Sequence, residues 1–353
     1  ALWDAGGAGF LTSPLGAGPV TSFGSGTVDL ALVGGGSYLF DTDASTVFDV
    51  GGGVPVDLLP GQPGAASGEI HLRSLFVESA ATIEIVGSNP LVIRCQGDGT
   101  DTFIAADLSG VFDLSGEDGT EGTTSPPAPG LGGAAGPGGG AGGQGGEVTV
   151  DFSFQTVVGV QPAIDGALGG GEGGRNTTLI LAGTTVSVPR AGQGGGGGHS
   201  VPGEDGVNDF FGSLTSFNNP TGRGGPAYGD AKISILRGGS GGGGGGATPV
   251  RLSATNFQTR NGGGGGGGGG AFELVAQGAV RVAASIVCDG GNGARGAPGN
   301  QAGAGGGGAG GAIAIRATGD LALVSSSGGM LSARGGFGGL QSPSIVNELR
   351  GGH

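Results

Sequence analysis

Acidic side chains in short polar stretches are the residues of this chain whose types and spacing could bind a metal ion. Asp41, Asp43 and Ser45 give the pattern D-x-D-x-S, which is how a calcium-binding loop begins. An EF-hand loop has Gly at its sixth position and Glu at its twelfth, whereas this chain has Thr46 and Gly52 there. The pattern excludes an EF-hand and leaves a looser Ca²⁺ site at Asp41 and Asp43, or a polar turn.

Two further acidic pairs have the same two interpretations. They are Asp98 with Asp101, and Glu204 with Asp205. Carboxylate oxygens are ligands that Ca²⁺ prefers, so each pair is a candidate for binding a cation between strands. A dedicated metal site is not among our predictions.

The three histidines do not form a zinc motif. His71, His199 and His353 lie far apart, and none has a second His or a Cys at the spacing that zinc sites use. His71 stands between Ile70 and Leu72, so an alternating strand would turn its side chain away from the core. We expect His71 to face solvent.

Sequence motifs for catalysis are weak throughout. Glycine tracts match the dinucleotide fingerprint G-x-G-x-x-G trivially, and Lys232, the single lysine, lacks the glycine spacing of a phosphate-binding loop. Paired acids, which glycoside cleavage requires, occur only in turn-like stretches such as DTDAST, GDGTD and GEDG. We predict a protein that is not an enzyme, with no catalytic residue and no cofactor.

Charge and composition favour an exported protein. The net charge is −14, from 28 acidic against 14 basic residues, which is unfavourable for binding nucleic acid. No apolar run approaches the roughly 18–20 residues of a membrane span. The chain begins at Ala1 without Met, as a mature protein does after signal-peptide removal, or as a recombinant fragment does. We expect an extracellular or cell-surface location.

Two covalent features are left open by the sequence. Cys95 and Cys288 are the only cysteines, and they are either one disulfide or two free buried thiols. Asn176 begins the sequon Asn176-Thr177-Thr178, which accepts a glycan in a suitable compartment.

The chain divides into three zones. Residues 1–50 form an N-terminal arm with short strands. In residues 51–122, apolar and polar residues alternate as in short strands. In residues 123–353, glycine tracts alternate with strands. Within 51–122, apolar pairs such as Ile70 with Leu72 recur at short spacing between glycine turns. This spacing favours an all-β solenoid, or β-helix, without substantial helix, over a β-sandwich, whose strands are longer.

The last two units of the third zone repeat at an offset of 41 residues. AFEL from Ala271 aligns without gaps with AIAI from Ala312, and GAVRV from Gly278 aligns with GDLAL from Gly319. An internal repeat at this period predicts that the two units stack on one another.

The stretch from Asn261 reads NGGGGGGGGGAFELV, and its nine glycines are either a flexible linker or a structural element. Linkers mix glycine with polar residues, whereas these tracts are nearly pure and precede strand pairs too small to fold alone. A glycine chain with three residues per turn, as in polyproline II, would span about 28 Å over nine residues. Ordering costs about 1–2 kcal/mol per residue, so several tracts must pack together. We predict packed polyglycine-II-type tracts.

Two stretches carry a resemblance to known proteins. AIAIRATGDLALVSSSGGMLSARGGFGG after a glycine tract, and IHLRSLFVESAATIEIVGSNPLVIRCQGD, resemble secreted glycine-rich β-helix proteins of environmental bacteria. The tracts are also similar to the polyglycine-II bundles of phage tail-fibre adhesins and of small antifreeze proteins. The resemblance implies an extracellular location and a rigid, extended scaffold.

The N-terminal arm is a candidate subunit contact. Its apolar residues Leu2, Trp3, Phe10 and Leu11 either insert into a neighbouring subunit by strand addition or pocket filling, or fold back on their own core. Open ends of a stacked array favour head-to-tail contacts that do not close. We therefore predict a self-associating structural subunit of an extracellular filament or surface layer, with other copies of itself as its partner.

Two other functions fit the same composition. A surface- or receptor-binding adhesin would recognise partners such as cell-surface glycans through an exposed face. An ice- or carbohydrate-binding module would present a flat array of regularly spaced threonines, of which only Thr177-Thr178 and Thr184-Thr185 give a hint.

Overall fold

All regular structure in the described part of the chain is β-strand. The computed structural model describes residues 26–55, 68–151, 156–176, 191–206, 221–229, 233, 235–251, 257–298, 302–324 and 330–340. Across these ranges no helix is present, so none is available to cross a membrane. The prediction of an all-β fold is confirmed.

The strands are short, as the frequent turns of the sequence require. Those before residue 130 are β1 (Asp29–Leu32), β2 (Ser37–Asp41), β3 (Thr46–Asp49), β4 (Val54–Pro55), β5 (Glu69–Leu72), β6 (Ser74–Val77), β7 (Thr82–Val86), β8 (Leu91–Cys95), β9 (Ile104–Leu108), β10 (Val111–Asp113), β11 (Thr123–Thr124) and β12 (Pro127–Ala128).

The strands after residue 130 lie in the part of the chain that contains the glycine tracts. They are β13 (Glu147–Asp151), β14 (Thr156–Gln161), β15 (Thr248–Arg251), β16 (Phe257–Arg260), β17 (Ala271–Ala276), β18 (Ala279–Val282), β19 (Ser285–Val287), β20 (Ala312–Ala317), β21 (Leu321–Leu323) and β22 (Leu331–Ser332).

Three of the sheets are parallel throughout. Sheet 1 has the order β1-β6-β9-β18-β21, sheet 2 has the order β5-β8-β17-β20, and sheet 3 has the order β10-β19-β22. The chain passes three times through sheets 2, 1 and 3 in that order. The three passages are β8-β9-β10, β17-β18-β19 and β20-β21-β22.

The remaining strands form small sheets of mixed direction. In sheet 4, with the order β4-β3-β2-β7, β2 pairs with β7 in parallel and the other pairs are antiparallel. The pairs β11–β12, β13–β14 and β15–β16 are antiparallel hairpins. Sheets of two to five strands, some of them hairpins, do not by themselves establish the β-helix that the spacing predicts.

Equivalent residues of the 41-residue repeat are paired with one another in the parallel sheets. Ala271 pairs with Ala312 and Leu274 with Ile315 in sheet 2, which is the gapless alignment of the sequence. The second half of the repeat aligns β18 with β21 in the same way. β17 also pairs with β8, so strands of the zones 51–122 and 123–353 share one sheet.

The core lies between the parallel sheets. Alternate residues of a strand point to the same face, and the inward positions Ile70, Leu72, Leu91 and Ile93 are fully buried as the alternation predicts. Three buried aromatic rings form a row: the centroids of Phe40 and Phe112 are 6.3 Å apart, and those of Phe112 and Phe272 are 5.6 Å apart. Their tilted geometry is one that aromatic pairs favour.

Residues 262–270, the central tract, are buried and hydrogen-bonded rather than extended into solvent. Each amide donates to a backbone carbonyl at 2.7–3.0 Å, and the acceptor changes with a period of three residues. Successive amides donate in turn to segments 140–146, 303–309 and 114–120. Three residues per turn is the repeat of a polyproline II helix.

The carbonyl groups of the central tract are used in the same way. Those of residues 262–269 accept from the amides of three other segments, namely 130–136, 239–245 and 291–294. Six segments therefore surround the central tract, some parallel to it and some antiparallel. Within the described residues, this glycine tract is thus hydrogen-bonded to neighbouring segments on several sides.

Glycine is required in the central tract because the backbones approach too closely for a side chain. A Cβ atom on Gly266 would lie 1.9 Å from the carbonyl oxygen of Gly291, and one on Gly265 would lie 2.1 Å from that of Gly242. Such distances are far below van der Waals contact, so only a residue without a side chain fits.

Candidate functional site

The candidate calcium ligands Asp41 and Asp43 stabilise turns. Asp41 Oδ1 accepts hydrogen bonds of 2.9 Å from the amides of Asp43 and Ala44. Asp43 Oδ1 accepts from the Ser88 amide and hydroxyl, both at 2.8 Å, and from Asn89 Nδ2 at 3.0 Å. The bond from the Ser88 amide is the main cause that lowers the pKa of Asp43. Both carboxylates are thus engaged by backbone and side-chain donors.

The other acidic pairs also contact backbone amides. Asp98 Oδ1 accepts from the amide and hydroxyl of Thr100 at 2.9 and 2.6 Å, and Asp205 Oδ1 accepts from the Gly224 amide at 2.7 Å. Asp101 and Glu204 are exposed. Among the residues that the structure describes, no three His, Cys, Asp or Glu side chains are grouped as metal ligands.

His71 points away from the core, but the expectation that it faces solvent is wrong. Its side chain is only 12% exposed, and its Nε2 lies 3.2 Å from Glu69 Oε2. Arg94 Nη2 donates to the other oxygen of Glu69 at 3.1 Å. Burial alone would raise the pKa of Glu69, but the hydrogen bonds from Arg94 and His71 outweigh it and lower that pKa. These residues form a hydrogen-bonded group across β5 and β8.

His199 is not part of the hydrogen-bonded group around Glu69, and His353 falls outside the described residues. The His199 ring packs edge-on against Tyr228 at 5.3 Å, and its Nε2 is 3.2 Å from the Arg237 carbonyl oxygen. Burial lowers the pKa of His199 and raises that of Tyr228 to about 12. Both shifts favour the uncharged forms, as expected of a packing contact.

Cys95 and Cys288 are free and buried, which resolves the two alternatives in favour of separate thiols. Burial raises the pKa of Cys95 to about 12, and burial together with nearby acids raises that of Cys288. Because the thiolate is the nucleophile, burial and the raised pKa values both disfavour reaction of these thiols.

The sequon residue Asn176 holds three segments together. Its Nδ2 donates to the Gln161 carbonyl at 2.6 Å and to the Glu147 carbonyl at 3.2 Å, and its Oδ1 accepts from the Ala247 amide at 2.8 Å. A glycan would be attached at the same nitrogen that makes the first two bonds.

Beyond sheet 3, the three chain segments that follow β10, β19 and β22 run parallel to one another. Here polar side chains extend the backbone bonding: Asp118 Oδ1 accepts from the Asn292 amide at 2.6 Å, and Asn292 Oδ1 accepts from the Phe337 amide at 2.8 Å. Asp289 Oδ1 accepts from the Arg334 amide in the same way. A spacing of polar residues in the sequence marks this layer, although the sequence analysis above does not use it. Asp118 and Glu121 are three residues apart, and so are Asp289 and Asn292.

A groove of about 540 Å³ opens on this layer. Asp118, Glu121 and Arg295 supply charges to its lining, and the Phe337 side chain beside them is 65% exposed. The groove combines acidic, basic and aromatic groups at the surface of the glycine-rich bundle.

The two ends of the parallel sheets differ. At the end formed by β1 and β5, the inward side chains are covered: Leu30 and Leu32 are 5% and 0% exposed. There the Arg73 amide also donates to the Val28 carbonyl at 2.8 Å. The inward side chains at this end are therefore buried.

At the opposite end, formed by β20, β21 and β22 and here called the open end, inward-facing leucines of the described chain are exposed. Leu321, Leu323 and Leu331 pair with buried residues of β18 and β19, so they occupy inward positions. They are nevertheless 45%, 40% and 42% exposed. In the described ranges no further strand pairs with the outer edges of these strands. Exposed strand edges with apolar side chains are association sites.

The predicted contact residues Leu2, Trp3, Phe10 and Leu11 lie outside the described residues. Comparison of the chain with protein families, with curated proteins and with solved structures finds no match. The geometry described above is therefore the basis for a functional proposal.

Proposed function

We propose that this chain is a structural, non-catalytic subunit of an extracellular filament or surface layer that associates with copies of itself. The observation that carries the proposal is the open end at β20–β22, where core-facing leucines are exposed. Stability of the subunit would increase if these side chains were covered, since a buried leucine contributes roughly 1.5–3 kcal/mol.

The finer architecture that we propose is a β-solenoid. The repeated passage of the chain through sheets 2, 1 and 3 supports it, because each passage places a strand beside its equivalent from the previous one. The row of Phe40, Phe112 and Phe272 supports it as well, since aligned inward positions of successive coils stack in this way.

The glycine-rich bundle would make such a subunit rigid. We interpret it as a polyglycine-II-type bundle, because each of the nine amides of the central tract is bonded to a neighbouring segment. A backbone cross-linked in several directions resists bending more than a single linker does, which suits a load-bearing part of a surface structure.

Electron microscopy and sedimentation of the purified chain test the proposal. We expect regular fibres or sheets to appear as the protein concentration rises, and a matching increase in sedimenting mass. Protein that stays monomeric or forms only small closed oligomers over the whole concentration range would contradict a filament or layer.

The groove beside Phe337 favours a second candidate, a surface-binding adhesin. Carbohydrate recognition often combines an exposed aromatic ring with hydrogen-bonding acids and amides, and Phe337, Asp118 and Glu121 offer these groups. Binding of cell-surface glycans by the monomer, abolished by Phe337→Ala, would favour the adhesin over the filament.

A further inference from the structure

We propose that the open end at β20–β22 is an acceptor site for residues 1–25 of a second copy of this chain. The inference rests on the proposed function, which it deepens by naming the two surfaces that meet. It is drawn from the contrast between the two ends of the sheets and from the position of Gly26 beside β5.

The acceptor combines an apolar surface with strand edges that pair with no further strand in the described part of the chain. Ile313 and Ile315 pack against the core from β20 and are only partly buried, and beside them lie the exposed leucines Leu321 and Leu323 of β21. The outer edges of β20, β21 and β22 offer backbone amides and carbonyls at the same place. An extended segment that adds to such an edge gains hydrogen bonds and buries alternate side chains.

The segment 1–25 has the composition that such a site requires. It reads ALWDAGGAGFLTSPLGAGPVTSFGS, in which Asp4 is the single charged side chain. Its large apolar residues are Leu2, Trp3, Phe10, Leu11, Leu15, Val20 and Phe23. Fully extended, 25 residues reach about 80 Å, so the segment is long enough to run across the open end of a neighbour.

The position of Gly26 favours a second copy over the segment's own core. Gly26, which follows this segment, lies against β5: a Cβ atom there would be 2.2 Å from the Leu72 amide nitrogen. β5 and β20 are the opposite edges of sheet 2. When copies stack in one direction, the arm of each copy leaves next to the open end of its neighbour. Such a contact is head-to-tail and does not close on itself, so it extends a filament.

Trp3 allows a direct test, because it is the only tryptophan of the chain. Its fluorescence emission moves to shorter wavelength when the indole leaves water. We expect this blue shift to appear with rising protein concentration, in step with the increase in sedimenting mass. An excess of a synthetic peptide of residues 1–25 should occupy the open ends and reduce assembly of the wild-type chain.

Two full-length variants test the contributions of the arm and of its acceptor independently. The acceptor variant carries Leu321→Asp and Leu323→Asp, and the arm variant carries Leu2→Ser, Phe10→Ser and Leu11→Ser. We expect each alone to raise the concentration needed for assembly by about tenfold or more. Mixed together they should form a dimer that does not grow, because only one arm and one acceptor are intact. Val201→Asp changes an even more exposed apolar residue, outside β20–β22, and should assemble as the wild type does.

The outcomes distinguish this inference from the proposed function. Fibres that form while Trp3 emission stays unshifted, or that form equally well from the folded acceptor variant, overturn the inference and leave the filament intact. A Trp3 blue shift that is independent of concentration in a monomer shows that the arm covers its own core, and overturns both. The peptide experiment uses the unmodified chain, so it decides the question even where a substitution impairs folding.

Discussion

The Gly266 amide donates a hydrogen bond of 2.9 Å to the Gly306 carbonyl oxygen, which joins two glycine tracts that lie side by side. The Gly266 carbonyl in turn accepts from the Gly242 amide at 2.9 Å. Bonds of this kind explain why the tracts consist of glycine, since only backbones without side chains can lie close enough to make them on every side.

Gly266→Ala should destabilise the protein by about 1–3 kcal/mol or more. The new Cβ would lie 1.9 Å from the Gly291 carbonyl oxygen, which is backbone and cannot rotate aside. Urea unfolding of the variant and of the wild type under the same conditions measures the change in free energy.

Gly335→Ala is the matched control for this substitution. There a Cβ would meet only the Gly308 carbonyl oxygen, at 3.7 Å, and the residue is exposed. Its stability should be unchanged or slightly raised, since alanine restricts the unfolded chain. Equal stability of the two variants would show that the tracts are not packed as described.

Phe112→Ala should cost about 3–5 kcal/mol of unfolding free energy. Phe112 is fully buried between Phe40 and Phe272, so its removal leaves a cavity and breaks two ring contacts. Phe337→Ala removes a ring that is 65% exposed and should change stability by no more than about 0.5 kcal/mol. Calorimetric or denaturant unfolding measures both, and a small effect at Phe112 would argue against one core spanning these strands.

Acid should destabilise the protein partly through Asp43. Its pKa is lowered in the folded state, so the unfolded state binds the proton more tightly. This contribution is fully present above the unfolded value of about 3.9 and is lost as the pH falls through the lower folded value. Asp43→Asn keeps a hydrogen-bond acceptor but cannot titrate, so its stability should fall less steeply below about pH 4 in urea titrations. An unchanged slope in this variant would contradict the role of the Ser88 bonds.

Both thiols should be unreactive in the native protein. Cys95 and Cys288 are buried and free, so a thiol reagent should label neither until denaturant is added, and should then label two without any reductant. Absence of labelling in denaturant, reversed by reductant, would reveal a disulfide instead.

The strands of the parallel sheets could be predicted from the sequence because their side chains alternate with a period of two. The pairing of Ala271 with Ala312 could be predicted as well, because a gapless repeat at 41 residues leaves one register that keeps Phe272 and Leu274 inward. Here local pattern and tertiary structure agree.

The outward positions of β17 were not predictable in this way. Glu273 and Val275 alternate with core residues and should be exposed, yet they are 9% and 1% exposed. Glu273 lies 3.4 Å from Arg316, whose other nitrogen donates to the Ile233 carbonyl at 3.3 Å. This covering comes from a segment distant in sequence, which a local pattern does not indicate.

The neighbours of the central tract were equally unpredictable. Gly263 and Gly264 are identical in sequence context, yet the first donates to Gly303 and the second to Thr120. Nine identical residues contain no information about which segment lies opposite, so the strands that anchor each tract must decide it.

Hydrogen exchange of the amides in residues 262–270 tests the central claim most directly. Mass spectrometry or NMR of the purified protein should find these amides among the slowest to exchange, at rates comparable to those of the buried strands β8 and β17. Fast exchange throughout this tract, with protection confined to the strands, would contradict the account and leave the glycines as a solvated tether.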